Sequence, residues 1–399
     1  MTDRPTLFLR PGGDKRLRQG HPWAYSNEIT LDEAAKALAP GSLVTLSRVD
    51  GKPLGTGTFT PHGLIAFRRF DRRPDAAIDR AWLAGRLGRA LALREKLYDT
   101  PHYRLVHGEA DGLPGLVADR FGDVVTLQSG TAGMDALMPD VVAALEDLLS
   151  PRAVVLANDG PFRKLENLPR HRDLAAGALD GPLDGKVEIM EGGLRFLTDP
   201  LGGQKTGWYF DQRDNRSFMA GLARGASVLD TYCHAGGFAL RALAAGAASA
   251  EGVDGSDAAL DLARRSAALN GLADRATFTK GDVFTDLERR GALGQRFDIV
   301  IADPPAFVKS RKDLGSGARG YRKLADLAAR LVAPGGLLFM ASCSHNMPAD
   351  RFLAEVAAGV GRAGKVARIL RHGGAGPDHP QHPQLPESAY LKSLTLALD

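Results

Sequence analysis

At 399 residues the chain is long for a single domain, and roughly two or three are expected. Hydrophobic residues make up 44% of it, enough for buried cores, so a disordered chain is excluded; no apolar run is long enough for a membrane-spanning helix. The net charge of +4 permits a polyanionic partner without requiring one. The start, Met1-Thr2-Asp3-Arg4-Pro5, lacks an apolar secretory stretch, so cytoplasmic residence is expected. In that reducing setting Cys233 and Cys343 are expected to stay unpaired.

Residues 1–74 read as a small all-β unit. Leu43 to Val49, Leu54 to Thr60 and Leu64 to Phe70 form a meander with a tight turn at Asp50-Gly51. Residues 75–186 read as a mixed α/β middle. A helix runs from about Ala77 to Leu97, then strands at Arg104 to Val106, Leu116 to Phe121 and Val124 to Gln128. A second helix at Met134 to Leu149 and a strand at Val154 to Ala157 complete it. From about Val187 strands alternate with helices, which predicts a parallel sheet covered on both faces over 187–399. The strands are Ser227 to Thr231, Ser249 to Asp254, Ala276 to Lys280, Phe297 to Ala302 and Leu337 to Ser342. Helices start near Phe238, Ser256 and Tyr321; the Ser256 helix has a capping serine and a Gly271 stop. Arg371 to Pro386 reads as a loop, and Tyr390 to Leu396 as a last strand.

Open parallel sheets bind ligands beyond the carboxyl ends of their strands. The first strand here runs into Asp230 and the pair Gly236-Gly237; the second ends at Asp254, the third near Asp282. These acids suit the hydroxyls and amino group of a nucleoside. The glycine pair lacks the spaced triplet that seats a pyrophosphate, which points to S-adenosylmethionine. For each acid alone, capping of the next helix is an equal reading. The fourth strand delivers Asp303-Pro304-Pro305 and the fifth Ser342-Cys343-Ser344. A thiolate there could add to carbon 6 of a cytosine and activate carbon 5, with Asp303 on the ring nitrogen. The bland alternative for Cys343 is a small buried hydrophobe, and for Cys233, in the glycine loop, packing is the preferred reading.

Basic residues gather at Arg10 to Arg18, Arg68 to Arg73 and Lys309 to Lys323. Arg10, Lys15, Arg16, Lys309 and Arg319 are candidate phosphate contacts; solvated surface is the competing reading. Trp23 and Tyr25 could stack on bases or fill a barrel core. His372, His379 and His382 have no regular ligand spacing, and prolines rule out a helix presenting the last two, so no metal is expected.

The stretch QKTGWYFDQRDNR (204–216), ADGLPGLVADRFGD (110–123) and GHPWAYSNEI (20–29) resemble the bacterial 23S ribosomal RNA (cytosine-5)-methyltransferases of the RlmI family over essentially the whole chain. The resemblance implies a β-barrel PUA domain for RNA (1–74), a central α+β domain (75–186) and a Rossmann-like class I methyltransferase domain (187–399). It implies S-adenosylmethionine held also by Gln212 and Arg213, Cys343 as nucleophile with Asp303 as its partner, and 23S ribosomal RNA as substrate. It also suggests that Pro377 to Pro386 forms a loop over the substrate cleft. The loop Cys233-His234-Ala235-Gly236-Gly237-Phe238 departs from the Tyr-Thr-Gly-Gly-Phe type of relatives but keeps the glycines. Two rival expectations stand: the same cofactor with a guanine nitrogen or small-molecule acceptor and no thiol, or an RNA-binding factor with a vestigial site. A homodimer is left open.

Overall fold

The computed structural model describes residues 4–181 and 183–399. The chain divides into two compact units, each assembled from separated stretches. The first comprises Met1–Val187, Asp199–Trp208 and Pro377–Ser388; the second Glu188–Thr198, Tyr209–Gly376 and Ala389–Asp399.

The first unit holds two five-stranded sheets. In one, Thr6–Phe8 pairs parallel with Ser42–Ser47, and Pro53–Phe59, Ile65–Asp71 and Trp23–Tyr25 follow antiparallel. Its core is Leu9, Leu17, Ala24, Ile29, Val44, Leu46, Phe59 and Phe67. The expected three-strand meander thus gains two short strands, as well as the short helices Lys15–Arg18 and Glu33–Lys36. The other sheet runs His171–Gly177, Ala153–Asn158, Val124–Ser129, Leu116–Phe121, His102–His107, packed against the helices Arg80–Leu97 and Met138–Leu149. The helix expected over 134–149 is two, Ala132–Ala136 and Met138–Leu149; Pro139, in the first turn of the second, has no amide with which to continue the hydrogen-bond ladder of the first.

Residues from this unit's separate stretches meet in a buried cluster. The guanidinium of Arg94, fully buried, donates to both oxygens of Asp111 (2.5 and 2.8 Å), to the Arg104 carbonyl (2.9 Å) and to the Asp378 carbonyl (2.8 Å). The Asp378 carboxylate in turn accepts the Arg104 amide at 3.0 Å.

The second unit is built on a seven-stranded sheet, numbered here in chain order. Its strands are β1 Ser227–Thr231, β2 Ser249–Asp254, β3 Ala276–Lys280, β4 Phe297–Ala302, β5 Val332–Ser342, β6 Ala367–Gly373 and β7 Lys392–Leu398. Their spatial order is β3-β2-β1-β4-β5-β7-β6, parallel except that β7 runs antiparallel to both β5 and β6. Helices α1 Arg213–Gly221, α2 Gly237–Ala244, α3 Asp257–Leu269, α4 Val283–Ala292, α5 Leu314–Leu331 and α6 Ala349–Arg362 cover it. On α5, Tyr321, Leu324, Ala325 and Ala328 recur at helical spacing and join Phe352, Val356 and Val360 of α6 in the core.

Three expectations need correction here. The helix expected from Tyr321 starts seven residues earlier, at Leu314. Part of the expected 371–386 loop is strand β6. Of the loop's remainder, residues 377–386 belong to the first unit and 374–376 to the second.

Candidate active site

The site is assembled at the carboxyl ends of β1 to β5. Asp230 lies in central β1, opposite Gly252 of β2 and Ile301 of β4. It is 1% exposed; one carboxyl oxygen accepts the Ala239 amide of α2 (3.0 Å), while the other is buried with no hydrogen-bond partner among the described residues. Burial pushes its pKa up to about 8; the Ala239 amide opposes this, and the negative charges of Asp303 and Asp254 add to it.

The turn after β1 is tightly coiled. Tyr232 (φ 59°), His234 (φ 50°) and Gly236 (φ 77°) all take left-handed backbone, which for the two non-glycine residues costs on the order of 1 kcal/mol each. The compensation is local: the Cys233 amide donates to Val253 (3.1 Å), Gly236 to Cys233 (2.8 Å), and His234 to the Asp254 carboxylate (2.9 Å). A side chain at Gly236 would press on the Phe278 ring at 3.0 Å, so glycine is required there twice over. Gly237 then opens α2.

Asp254 also accepts the Ser256 amide at 2.9 Å, tying the turn to the start of α3. Asp282 caps α4, accepting the Thr285 amide (2.9 Å) and hydroxyl (3.0 Å), and these bonds hold its carboxyl below the usual range. The capping reading of the acids is therefore real for Asp282, and it leaves the group exposed at the β3 end. Tyr232, which sequence reasoning did not single out, links these ends: burial raises its phenol pKa, and the charges of Asp282 and Asp254 raise it further. It stands two residues after Asp230, and no feature of the sequence marks it. Cys233 is buried with its thiol pushed up by burial, which suits packing.

Gln212 and Arg213 lie at the start of α1, both buried. Gln212 accepts a hydrogen bond from Asn215 (2.7 Å), and the Arg213 guanidinium lies 5.2 Å from the Phe210 ring centroid and 3.8 Å from the Glu191 carboxylate. Glu191 is gripped at both oxygens by Arg216 (2.6 Å each), a residue whose charge also lowers the Asp230 pKa.

Asp303 follows directly after β4 and Cys343 directly after its parallel neighbour β5, and both are half-buried. The Cys343 sulfur lies 4.0 Å from the Pro304 carbonyl of the Asp-Pro-Pro turn. The serines flanking the cysteine are both tied to the buried Tyr321 hydroxyl: Ser342 donates to it (2.8 Å) and Ser344 lies 2.9 Å away. Ser344 Oγ accepts the Val308 amide (3.1 Å), and Lys392 Nζ donates to the Ser344 and Met347 carbonyls (2.7 Å each). Tyr321, within the basic stretch Lys309 to Lys323, is fully buried and supports the cysteine turn from within the core.

Among the candidate RNA contacts, Arg10, Lys15, Lys309 and Arg319 are exposed. Arg16 pairs with Glu28 (2.7 Å) and lies 4.6 Å over the Tyr25 ring. Trp23 is half-buried and donates through its indole to Glu109 at 2.9 Å. Arg322 and Lys323 are bound to Glu355 (2.6 Å) and Glu288 (2.9 Å). His379 sits beside Asp378 (2.9 Å), and His372 lies in β6. Among the described residues no group of three His, Cys, Asp or Glu is placed to hold a metal, and no helix is long and apolar enough to cross a membrane.

A family model for S-adenosylmethionine-dependent methyltransferases matches residues 104–396, and one for PUA-like domains matches residues 7–72. The ribosomal RNA large subunit methyltransferase I of Shewanella amazonensis is 38% identical over 393 residues, covering 97% of this chain and 98% of its own. That of Alteromonas mediterranea is 36% identical, covering 97% of each. A solved structure assigned as a methyltransferase, in complex with S-adenosylhomocysteine (SAH), shares the fold with a TM-score of 0.83 at 19% identity, covering 98% of this chain and all of that one. On these matches the chain belongs to the S-adenosylmethionine-dependent methyltransferase family, in the group of the ribosomal RNA large subunit methyltransferase I proteins.

Proposed function

We propose that this enzyme methylates carbon 5 of a cytosine in large-subunit ribosomal RNA through a Cys343 thiolate. The observation that carries the reading is the pairing of Cys343 with the Asp-Pro-Pro turn at the ends of neighbouring strands. An acceptor such as a guanine nitrogen needs no thiol; a cytosine carbon does.

The turn after β1 suits a nucleoside cofactor. A buried carboxyl oxygen of Asp230 without a partner, a strained turn and a glycine that admits no side chain form a cradle with room for polar recognition. S-adenosylmethionine, when bound, supplies an electrophilic methyl group on its sulfonium. Asp230, Gly236 and Gly237 would hold its amino-acid end, and Asp254 and Asp282 its ribose and adenine; Gln212 and Arg213 complete the set from α1.

The chain's own chemistry follows from the neighbours of Cys343. The thiolate adds to carbon 6 of a flipped cytosine, and the ring electrons make carbon 5 nucleophilic. Asp303, on the next strand end, holds the ring nitrogen through a proton as charge builds there. After carbon 5 has gained its methyl, a base removes the carbon 5 proton; the electron pair reforms the ring double bond and expels the thiolate. The amino-terminal PUA-like barrel (1–74), with Arg10, Lys15, Arg16 and Trp23, would hold surrounding RNA, and Lys309 and Arg319 the phosphates near the flipped base. The central domain spans 75–186 and the methyltransferase domain 187–399 in this reading. The enzyme would act in the cytoplasm, where ribosomal RNA is made.

The test is methyl transfer from labelled S-adenosylmethionine to unmodified 23S ribosomal RNA, with nucleoside analysis. Wild type should yield labelled 5-methylcytosine, while Cys343→Ala should lose turnover by at least ~1000-fold and still bind the cofactor. Label in another base, or turnover indifferent to the substitution, would sink this chemistry.

A further inference from the structure

The turn that carries Cys343 is held from two sides, and one of the holders is charged. From the core side the hydroxyl of Tyr321 on α5 bonds both flanking serines. From the sheet side, Lys392 opens β7 directly opposite Ser342 of β5, so antiparallel pairing sets its side chain beside the turn. Its ammonium donates to the carbonyls of Ser344 and Met347, closing the turn across three residues. With two of its three protons on carbonyls, Nζ acts as a donor and a fixed positive charge, not as a proton acceptor.

We propose that Lys392 is the positioning residue of the nucleophile: it clamps the Ser344–Met347 turn and supplies the positive charge that the Cys343 thiolate faces. The proposal rests on the reading of Cys343 as nucleophile. Electrostatics agree with it. Burial lowers the Lys392 pKa, and interaction with Cys343 opposes that; by reciprocity the ammonium favours the ionised sulfur. Other titratable groups of this neighbourhood are Tyr321 from α5, His345 of the turn itself, whose ring stacks 5.3 Å from that of Tyr390, and Asp303, which follows the neighbouring strand β4. Tyr321 is held neutral by burial, and a carboxylate at the neighbouring strand end would oppose a thiolate, so the Lys392 ammonium is set against it. A thiol that must attack carbon 6 near neutral pH gains from that balance.

The test uses full-length protein without RNA: the rate of Cys343 alkylation by iodoacetamide between pH 6 and 10, read by mass spectrometry of its peptide. Lys392→Gln should shift the midpoint upward by about one pH unit, roughly a tenfold slower reaction at pH 7. Lys392→Arg, which keeps the charge, should restore most of it. Methyl transfer should follow the same order, with kcat falling and KM for the cofactor unchanged. A midpoint in Lys392→Gln equal to wild type, in protein whose melting temperature shows it folded, would overturn the proposal. So would an arginine variant that behaves as the glutamine one. If Cys343→Ala keeps its turnover, the nucleophile reading fails instead; if that variant is dead and the alkylation midpoint does not move, only the role of Lys392 fails.

Discussion

Asp230 has a carboxyl that the fold keeps protonated. Its folded pKa is raised to about 8, against about 3.9 in an unfolded chain. Between those values the folded state binds a proton that the unfolded state does not, so stability declines as pH rises from about 4 to 8, by at most ~1.4 kcal/mol per pH unit. Asp230→Asn mimics the neutral acid and can still accept the Ala239 amide. We expect it to melt at or above the wild-type temperature at pH 8, while cofactor affinity by isothermal titration falls at least ~10-fold. A variant that binds the cofactor normally would remove Asp230 from the site. The acid itself was legible as the residue closing a strand before a glycine pair. What escaped was Tyr232, because nothing in a sequence marks a bulky residue as left-handed. Lys392 escaped as well, since its meaning depends on the register of β7 against β5.

At the level of elements, α5 shows why glycines can hide a helix. Gly315, Gly317 and Gly320 suggest a mobile loop, and the expected start fell at Tyr321. In the fold, a side chain at Gly317 would strike Val308 at 2.5 Å and the Phe307 carbonyl at 2.6 Å. Glycine is thus a packing requirement: the segment after Asp-Pro-Pro lies directly on the helix, and Tyr321 of the next turn reaches the serines beside Cys343. Strands β1 to β4 were legible to the residue: β1 and β4 as short, largely buried runs, β2 and β3 from their alternation with well-delimited helices. Edge strand β6 was not: Ala367 to Leu370 are all exposed, so no alternation of burial marks it. The α5–α6 contact offers a sharp test. A side chain at Gly359 would meet the Arg322 carbonyl at 2.5 Å and the Asp326 amide at 2.9 Å. Gly359→Ala should therefore cost about 1–3 kcal/mol in urea unfolding despite alanine's better helix propensity. A gain in stability would show that the two helices part without penalty.

At the level of the molecule, the first unit carries an acid-sensitive element. Burial, with the charges of Arg104, His379 and Arg94, lowers the His107 pKa to about 2. Its unfolded value is about 6.5, so this histidine contributes nothing to pH dependence above that and destabilises the fold as pH falls below it. We expect hydrogen exchange in the His102–His107 strand to accelerate from pH 6.5 to 5, by up to ~1.4 kcal/mol per pH unit after correction for intrinsic rates. His107→Gln should flatten that slope by about one proton; an unchanged slope would assign it to other groups. Domain order along the sequence was legible from texture, but the interleaving of the two units was not, since composition does not say which sheet a returning segment completes. That interleaving constrains how the chain can be made. Asp378, which accepts from Arg94 and Arg104 of the amino-terminal unit, and β7, which fills the place between β5 and β6, both follow all the other strands in chain order. Neither unit can therefore finish before residues 377–398 have been made. A growing chain carries two unfinished cores until that late segment has been made, and both cores draw their closing pieces from one short stretch of sequence.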